Sequence, residues 1–410
     1  MQSPRNGKRL LVFTYMFPYG PSESFLGPEL EILAGKYEQI GLVPLVRSQE
    51  AVRKLPANVE VLDGPGAFAK ASKKRNFNQL YPIIYLLCYQ LIHSSRRSWY
   101  LRHLRYQLSD LPHQLNVAQE LGSLIAKGGY QAASCYSYWF DYWMLPLTIL
   151  KWQGKINYLL TRAHGGDVYE YQHLEKGFFF PFRHFQIKQL DRICPVSQDG
   201  LDHLQQYYPS SESKLKLSRL GVNNNAGRSA IPAGKPIFVS CSSFMDCKRV
   251  HLIPALLDQL GCPVRWIHIG HTGNREEEVR KAAATVSDRV EVNFLGQMPN
   301  AEVLKFYSTN PVTAFINVSD SEGLPVSIME AISFGIPVIA TNCGGTREIV
   351  TPQTGLLLEV AFTSESAAAL IVGHLGQFQD ESFREGVAGF WKKEFNAEVN
   401  FTNFMNTVLP

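Results

Sequence analysis

Short apolar runs recur along this chain, each followed by a polar turn and then by a longer segment with helical spacing. In the first half the runs are Leu10-Leu11-Val12-Phe13-Thr14-Tyr15, 40–46, 59–62, 133–139, 156–161 and 193–197. After the first comes a turn-rich loop, Pro18-Tyr19-Gly20-Pro21-Ser22, and then a helix predicted from Glu23. Gly, Asn and Pro crowd the stretch from Gly221-Val222-Asn223-Asn224-Asn225 to Pro236, which reads as an interdomain linker. The pattern restarts with Ile237-Phe238-Val239-Ser240-Cys241 and a helix from Val250. It continues with Trp266-Ile267-His268-Ile269, a helix from Arg275, a strand over 290–294 and a short helix from Asn300. Strands alternating with helices in this way predict an α/β architecture with parallel sheets.

A length of 410 residues exceeds one ordinary core and fits two α/β domains. The expected bounds are 1–222 and 223–389, with a terminal segment over 390–410. No stretch approaches the ~20 apolar residues of a membrane span, and the N-terminus lacks a signal-peptide pattern. The seven cysteines are scattered, and none falls in a CxxC or a Cys/His metal spacing. Free, mostly buried thiols in a reducing cytoplasm are therefore expected.

The net charge of +4 is mild, but its distribution is uneven. No acidic residue lies between Asp63 and Asp110, while Lys70, Lys73, Lys74, Arg75, Arg96, Arg97, Arg102 and Arg105 all do. They flank the apolar, aromatic run Pro82-Ile83-Ile84-Tyr85-Leu86-Leu87-Cys88-Tyr89-Gln90-Leu91-Ile92. The 70–105 stretch is open to two readings: a helix lying on an anionic membrane surface, or a core helix with basic ends. The first reading places the chain on the inner face of the plasma membrane. No recognised nucleic-acid module accompanies the patch, so nucleic acid is not an expected partner.

The densest chemistry lies in Ser319-Asp320-Ser321-Glu322-Gly323-Leu324-Pro325-Val326-Ser327-Ile328-Met329-Glu330. An apolar strand leads in over 313–318, and Pro337-Val338-Ile339-Ala340-Thr341 follows after Gly335. This βαβ unit puts Glu322 on a loop outside a strand's carboxyl end, where α/β sheets bind ligands. Pro325 suits a first helical position and Gly335 a helix C-cap. The turn Gly323-Leu324-Pro325 and the helix start at Ser327 then offer free amides to an anion, aided by the helix dipole. Glu330 falls among Ile328, Met329, Ala331 and Ile332, where a carboxylate is costly to bury unless paired or ligand-bound. Its two acceptor oxygens suit a vicinal diol such as a ribose. A solvated helix edge is the bland alternative, and the strand, turn and apolar helix around the pair argue against it.

Glu322 through Glu330, followed by Ala331, Gly335, Pro337-Val338-Ile339-Ala340-Thr341 and Gly344-Gly345, resembles the signature of glycosyltransferase family 4. That resemblance implies a retaining, nucleotide-sugar-dependent enzyme of the GT-B fold. Such a fold has two Rossmann-like domains with parallel sheets facing across a cleft, and a last helix that crosses back to the first domain. The apolar content of 390–408, with Trp391, Phe395, Phe401, Phe404 and Met405, suits that helix.

Sugar transfer from a nucleoside diphosphate needs cations or amides for the leaving group, acceptors for hydroxyls, and control of the electron-poor anomeric carbon. Lys248 fits the lysine that the resembled family carries on this loop, while Ser243 stands where its arginine is expected. Arg249 is the candidate to compensate, and a solvated basic helix start is the competing reading. Thr161-Arg162-Ala163-His164-Gly165-Gly166-Asp167 resembles the family's strand-end histidine loop. This implies His164 as a donor contact, displayed toward the cleft, with Asp167 as a second candidate; a structural histidine is the alternative. Gly20 and Ser22 mark a loop for donor phosphates or the acceptor, or else a plain βα turn. Gly296 and Met298 lie where the family holds the nucleobase through main chain. Gly344-Gly345-Thr346 reads as a tight turn and helix cap.

The resemblance thus puts Glu322 near the donor sugar, with His164 and Lys248 completing the catalytic set, and Glu330 on the ribose. Gly323, Leu324, Pro325 and Ser327 complete the donor site. No DxD motif stands at a strand end, and the resembled enzymes generally need no metal, so no cofactor is expected beyond the donor substrate. The expected acceptor is a glycan or lipid-linked glycan of bacterial surface polysaccharide. The competing class is a catalytically inactive nucleotide-sugar-binding protein of the same fold, favoured by Ser243. A nicotinamide-dependent oxidoreductase is disfavoured, because no GxGxxG follows a strand and opens a helix.

Overall fold

The computed structural model describes residues 8–20, 23–48, 53–65, 79–94, 97–169, 181–224, 226–270 and 273–410. The chain forms two units, Met1–Ser218 with Thr402–Pro410, and Arg219–Phe401.

The strands of the first unit are β1 (Arg9–Thr14), β2 (Gln39–Pro44), β3 (Val59–Val61), β4 (Ser134–Ser137), β5 (Tyr158–Ala163) and β6 (Arg192–Pro195). They make one parallel sheet in the order β3-β2-β1-β4-β5-β6. β1 shows why these apolar runs become central strands. Leu10, Leu11, Val12 and Phe13 are all wholly buried, yet they serve opposite faces. Leu10 and Val12 join a core with the helix Leu26–Lys36. Leu11 and Phe13 join another with the helices Leu104–Lys127 and Met144–Trp152. Side chains alternate across a strand, so a strand covered by helices on both faces is apolar throughout.

Residues 402–410 belong to this first core. Phe404 lies 4.2 Å from the Arg162 guanidinium carbon and 5.4 Å from the Tyr136 ring. Tyr158 Oη donates to the Val408 carbonyl at 2.6 Å, and Lys36 Nζ to that of Met405 at 2.7 Å. Arg162 is itself fully buried, paired with Glu29 at 3.0 Å and donating to the Ser218 carbonyl at 2.8 Å.

The second unit has β7 (Ile237–Cys241), β8 (Val264–Ile269), β9 (Val290–Gly296), β10 (Ala314–Asn317), β11 (Val338–Thr341) and β12 (Gly355–Leu358). These are also parallel, in the order β12-β11-β10-β7-β8-β9. Counted within the unit, that is the order of the first sheet. In each sheet the winding reverses between the first and fourth strands, β1 with β4 and β7 with β10. A crevice at the strands' carboxyl ends forms at such a switch point, and ligands of α/β sheets bind there.

Three local expectations differ from what is found. The helix read from Glu23 begins at Leu26, because Glu23 holds a left-handed backbone (φ +53°) outside the helical range. The stretch read as a linker packs on the second unit: Asn224 Nδ2 donates to the Ser333 carbonyl at 2.6 Å and Ser229 N–H to that of Phe334 at 2.9 Å. The last helix is two, Glu381–Glu394 and Ala397–Thr407. They part where Val222 pairs with the backbone of Phe395 and Ala397. Gly221 is so close that a Cβ there would meet Ala397 Cα at 2.5 Å. No helix among the described residues is long and apolar enough to cross a membrane.

Candidate functional site

At the switch point of the second unit, the loop after β10 meets the loop after β7. Glu322 Oε1 accepts from Lys248 Nζ at 2.7 Å, Ser319 Oγ at 2.7 Å and Asn317 Nδ2 at 3.2 Å. Asp320 N–H donates to the Cys247 carbonyl at 2.9 Å and joins the two loops directly. Burial works against the Lys248 ammonium, but the adjacent Glu322 carboxylate outweighs it and holds its pKa above the ordinary lysine value. A fixed cation and a fixed carboxylate therefore stand together at the carboxyl edge of the sheet, each with its hydrogen bonds made.

The helix Val326–Ser333 follows, with Pro325 as its N-cap rather than its first residue. The orphan amides of the first turn, at Val326 and Ser327, open from the same edge. Gly335 lies just past the Phe334 cap at φ +69°, the left-handed position that ends helices. Glu330 points into the unit, 8% exposed, and accepts from Asn300 Nδ2 at 2.6 Å. Burial pushes its carboxyl up to about 7, with the Asn300 hydrogen bond acting the other way. Leu324 is buried and Gly323 half-buried, its carbonyl receiving the Gly345 N–H at 2.9 Å. Gly344 allows this approach at φ +48°, since a Cβ there would fall 1.9 Å from the Glu322 carbonyl oxygen.

Arg249 is placed differently from the expectation that it replaces the missing arginine. Its Nε donates to the Val318 carbonyl at 2.8 Å and its Nη1 to that of Val360 at 2.9 Å. Its left-handed backbone (φ +45°) turns the side chain under the β10 loop, so it braces that loop from below. Ser243 is half-buried on the loop after β7. Gly296 ends β9 at φ +73°, its carbonyl taking the Gly270 N–H at 2.7 Å. Half-buried Met298 then leads into Asn300, so the 296–300 turn delivers the partner of Glu330.

In the first unit His164 follows β5, but it is not displayed. It is 7% exposed, packed at 4.4 Å from the Trp139 ring and 5.2 Å from Tyr138. Its Nε2 lies 3.1 Å from the Tyr138 carbonyl. Burial, reinforced by the Arg162 charge, lowers its pKa to about 3, so the ring is neutral at physiological pH. Asp167 is also turned inward. Its carboxylate accepts the His164 N–H at 2.5 Å and the Phe140 N–H at 2.7 Å, which are orphan amides that a carboxylate in a first helical turn satisfies well. Burial, with Asp141 nearby, raises its pKa well above the usual carboxylate range. Gly20 is half-buried at φ +59°, its carbonyl held by Arg53 Nη2 at 2.9 Å. Ser22 lies outside the described residues, as do Lys70, Lys73, Lys74, Arg75 and Arg96.

Asn317, Ser319 and Asn300 escaped the sequence reading. Asn317 did leave a signal, a polar residue closing a strand otherwise apolar and buried, where an amide needs a partner. Among the described residues no group of three or more His, Cys, Asp or Glu side chains is arranged to hold a metal ion.

Residues 222–375 match the family model described as Glycosyl transferases group 1. Over 112 residues the chain is 36% identical to the O-antigen biosynthesis glycosyltransferase WbnH of Escherichia coli, covering 27% of this chain and 30% of that protein. Over 123 residues it is 30% identical to the GDP-mannose-dependent monoacylated alpha-(1-6)-phosphatidylinositol monomannoside mannosyltransferase of Corynebacterium glutamicum, covering 29% and 30%. The matched stretch thus spans 30% of the length of each of these two relatives. Among solved structures, the chain resembles Anabaena HepE in complex with UDP at a TM-score of 0.65 and 13% identity, over 97% of this chain and 99% of that one. That likeness is one of fold.

Proposed function

We propose, from the match of residues 222–375 to the glycosyl transferases group 1 model, that the chain transfers a sugar, with retention, from a nucleoside diphosphate sugar to a glycan or lipid-linked glycan of a bacterial surface polysaccharide. The observation that carries this reading is the pair of carboxylates at the β7/β10 switch point. Glu322, anchored by Lys248, Ser319 and Asn317, faces the reacting end; Glu330, nearly buried and held by Asn300, faces the ribose. Lys248 and the first-turn amides neutralise the departing diphosphate. The UDP complex of HepE supports a nucleotide at a fold of this kind. In the first unit, His164 is neutral, so what it can offer a ligand is a hydrogen bond and not a charge.

The anionic membrane surface enters through the helix Leu80–His93. Its inner side joins the first unit's core through Leu86, while Tyr81, Ile84, Cys88 and Ile92 form an exposed outer stripe at spacings of three, four and four. Arg97, Arg102 and Arg105 are exposed in the helices that follow. An apolar stripe bordered by cations fits a peripheral position on the inner face of the plasma membrane, where a lipid-linked acceptor resides.

A thermal-shift panel of UDP, GDP, ADP and dTDP with their sugars tests the donor site. One nucleotide should raise the melting temperature of the wild type and not of Glu330→Ala. Equal shifts in both proteins would remove Glu330 from the site, and no shift with any nucleotide would sink the reading.

A further inference from the structure

The switch point of the first unit is closed by a residue to which none of these roles falls. We infer that Glu23 is a positioning residue for the transfer reaction, acting through Trp139 and the 15–20 loop; this rests on the transferase reading above. Its carboxylate is 5% exposed and takes four donors from two chain segments. Oε1 accepts from Tyr15 N–H at 3.0 Å and Trp139 Nε1 at 2.6 Å, and Oε2 from the N–H groups of Met16 and Phe17, both at 2.7 Å. The first segment leaves the carboxyl end of β1 and the second that of β4, the two strands between which the winding reverses. Glu23 therefore staples the two loops that border the crevice. Its effect reaches His164, because the indole it orients lies 4.4 Å from that ring.

Two further features separate this carboxylate from an ordinary structural one. Glu23 keeps a left-handed backbone (φ +53°), which disfavours a residue with a Cβ and persists only where surrounding bonds over-determine it. The loop it holds is anchored by buried Phe17 and Pro18 but open on its outer side, where Tyr15 is exposed and Met16, Tyr19 and Gly20 are half-buried. The carboxylate thus fixes the amides of this rim and the Trp139 indole at the edge where such sheets bind ligands.

Glu23→Gln leaves one acceptor oxygen and presents an NH2 group to donors, so one of the two pairs of bonds is lost. Glu23→Gly removes the carboxylate while relieving the left-handed backbone, so it separates loss of the hydrogen bonds from backbone strain, and the dispersion of its spectrum reports its folding. The full chain labelled with 15N-tryptophan gives a direct readout, with the Trp139 Nε1–H resonance assigned by Trp139→Phe. That resonance should move upfield in Glu23→Gly, which leaves the indole no acceptor here. Turnover of whichever donor in the nucleotide panel is active should fall roughly 10- to 100-fold, with donor KM changed less than about threefold. Glu23→Gln and Trp139→Phe should be non-additive when combined. An unmoved resonance, turnover within about twofold of wild type, or additive losses would each overturn the assignment. If wild type turns over no donor, the transferase reading fails instead, and the resonance alone decides for or against Glu23 as the staple.

Discussion

Burial disfavours the charge of Glu330 and pushes its carboxyl from the ordinary 4.5 up to about 7. The ligand-free fold keeps its proton up to about 7 while the unfolded chain releases it near 4.5, so stability falls across that window as pH rises. In the proposed donor site a ribose would reverse the preference, since two hydroxyls donate best to an ionised carboxylate. Nucleotide affinity should therefore weaken about tenfold between pH 8 and pH 6, following the protonated fraction. Calorimetric titration of wild type beside Glu330→Gln checks this, because the difference cancels the nucleotide's own titration. Parallel pH profiles for the two proteins would refute it. Asn300, which opposes the burial effect, was invisible in the sequence because an asparagine opening a helix looks like any other. Glu330 was legible for the opposite reason, as a charge among Ile328, Met329, Ala331 and Ile332 that demanded an explanation.

At the scale of elements, a central strand such as β1 was readable because helices on both of its faces leave Leu10, Leu11, Val12 and Phe13 wholly buried and apolar. The ends of elements were less readable. Pro325 caps its helix instead of opening it, and Glu23 sits outside a helix whose spacing includes it on paper, since local backbone geometry overrode the pattern. What the pattern could not convey is how the loops lean on one another. The turn after β11 rests on the loop after β10 at Gly344, with no room for a Cβ beside the Glu322 carbonyl. Gly344→Ala should therefore cost roughly 2–4 kcal/mol and shift Glu322 itself. A urea melt gives the first quantity and nucleotide binding the second. A midpoint equal to that of wild type would mean the two loops are free to separate.

At the scale of the molecule, two α/β units were legible from the restart of the strand pattern after Pro236, and the family signature marked the second. The junction of Glu23 with Trp139 in the first unit was not, because the two residues lie far apart in sequence and meet only through sheet order. The membrane face belongs to this scale as well. Vesicles of phosphatidylserine and phosphatidylcholine should float the full chain, with retention lost at high salt, and pure phosphatidylcholine should not. Ile84→Glu with Ile92→Glu should abolish flotation; a chain that never floats, or a dimer in light scattering that these changes dissolve, would give the face to another occupant. The packing of Phe404 on Arg162 and Tyr136 has its own bearing on how the molecule is made. Residues 402–410 are synthesised after the whole of the second unit, yet they complete the core of the first. The part of that core built from Phe404, Val408 and Leu409 is therefore completed only once residues that follow the second unit in the chain are available.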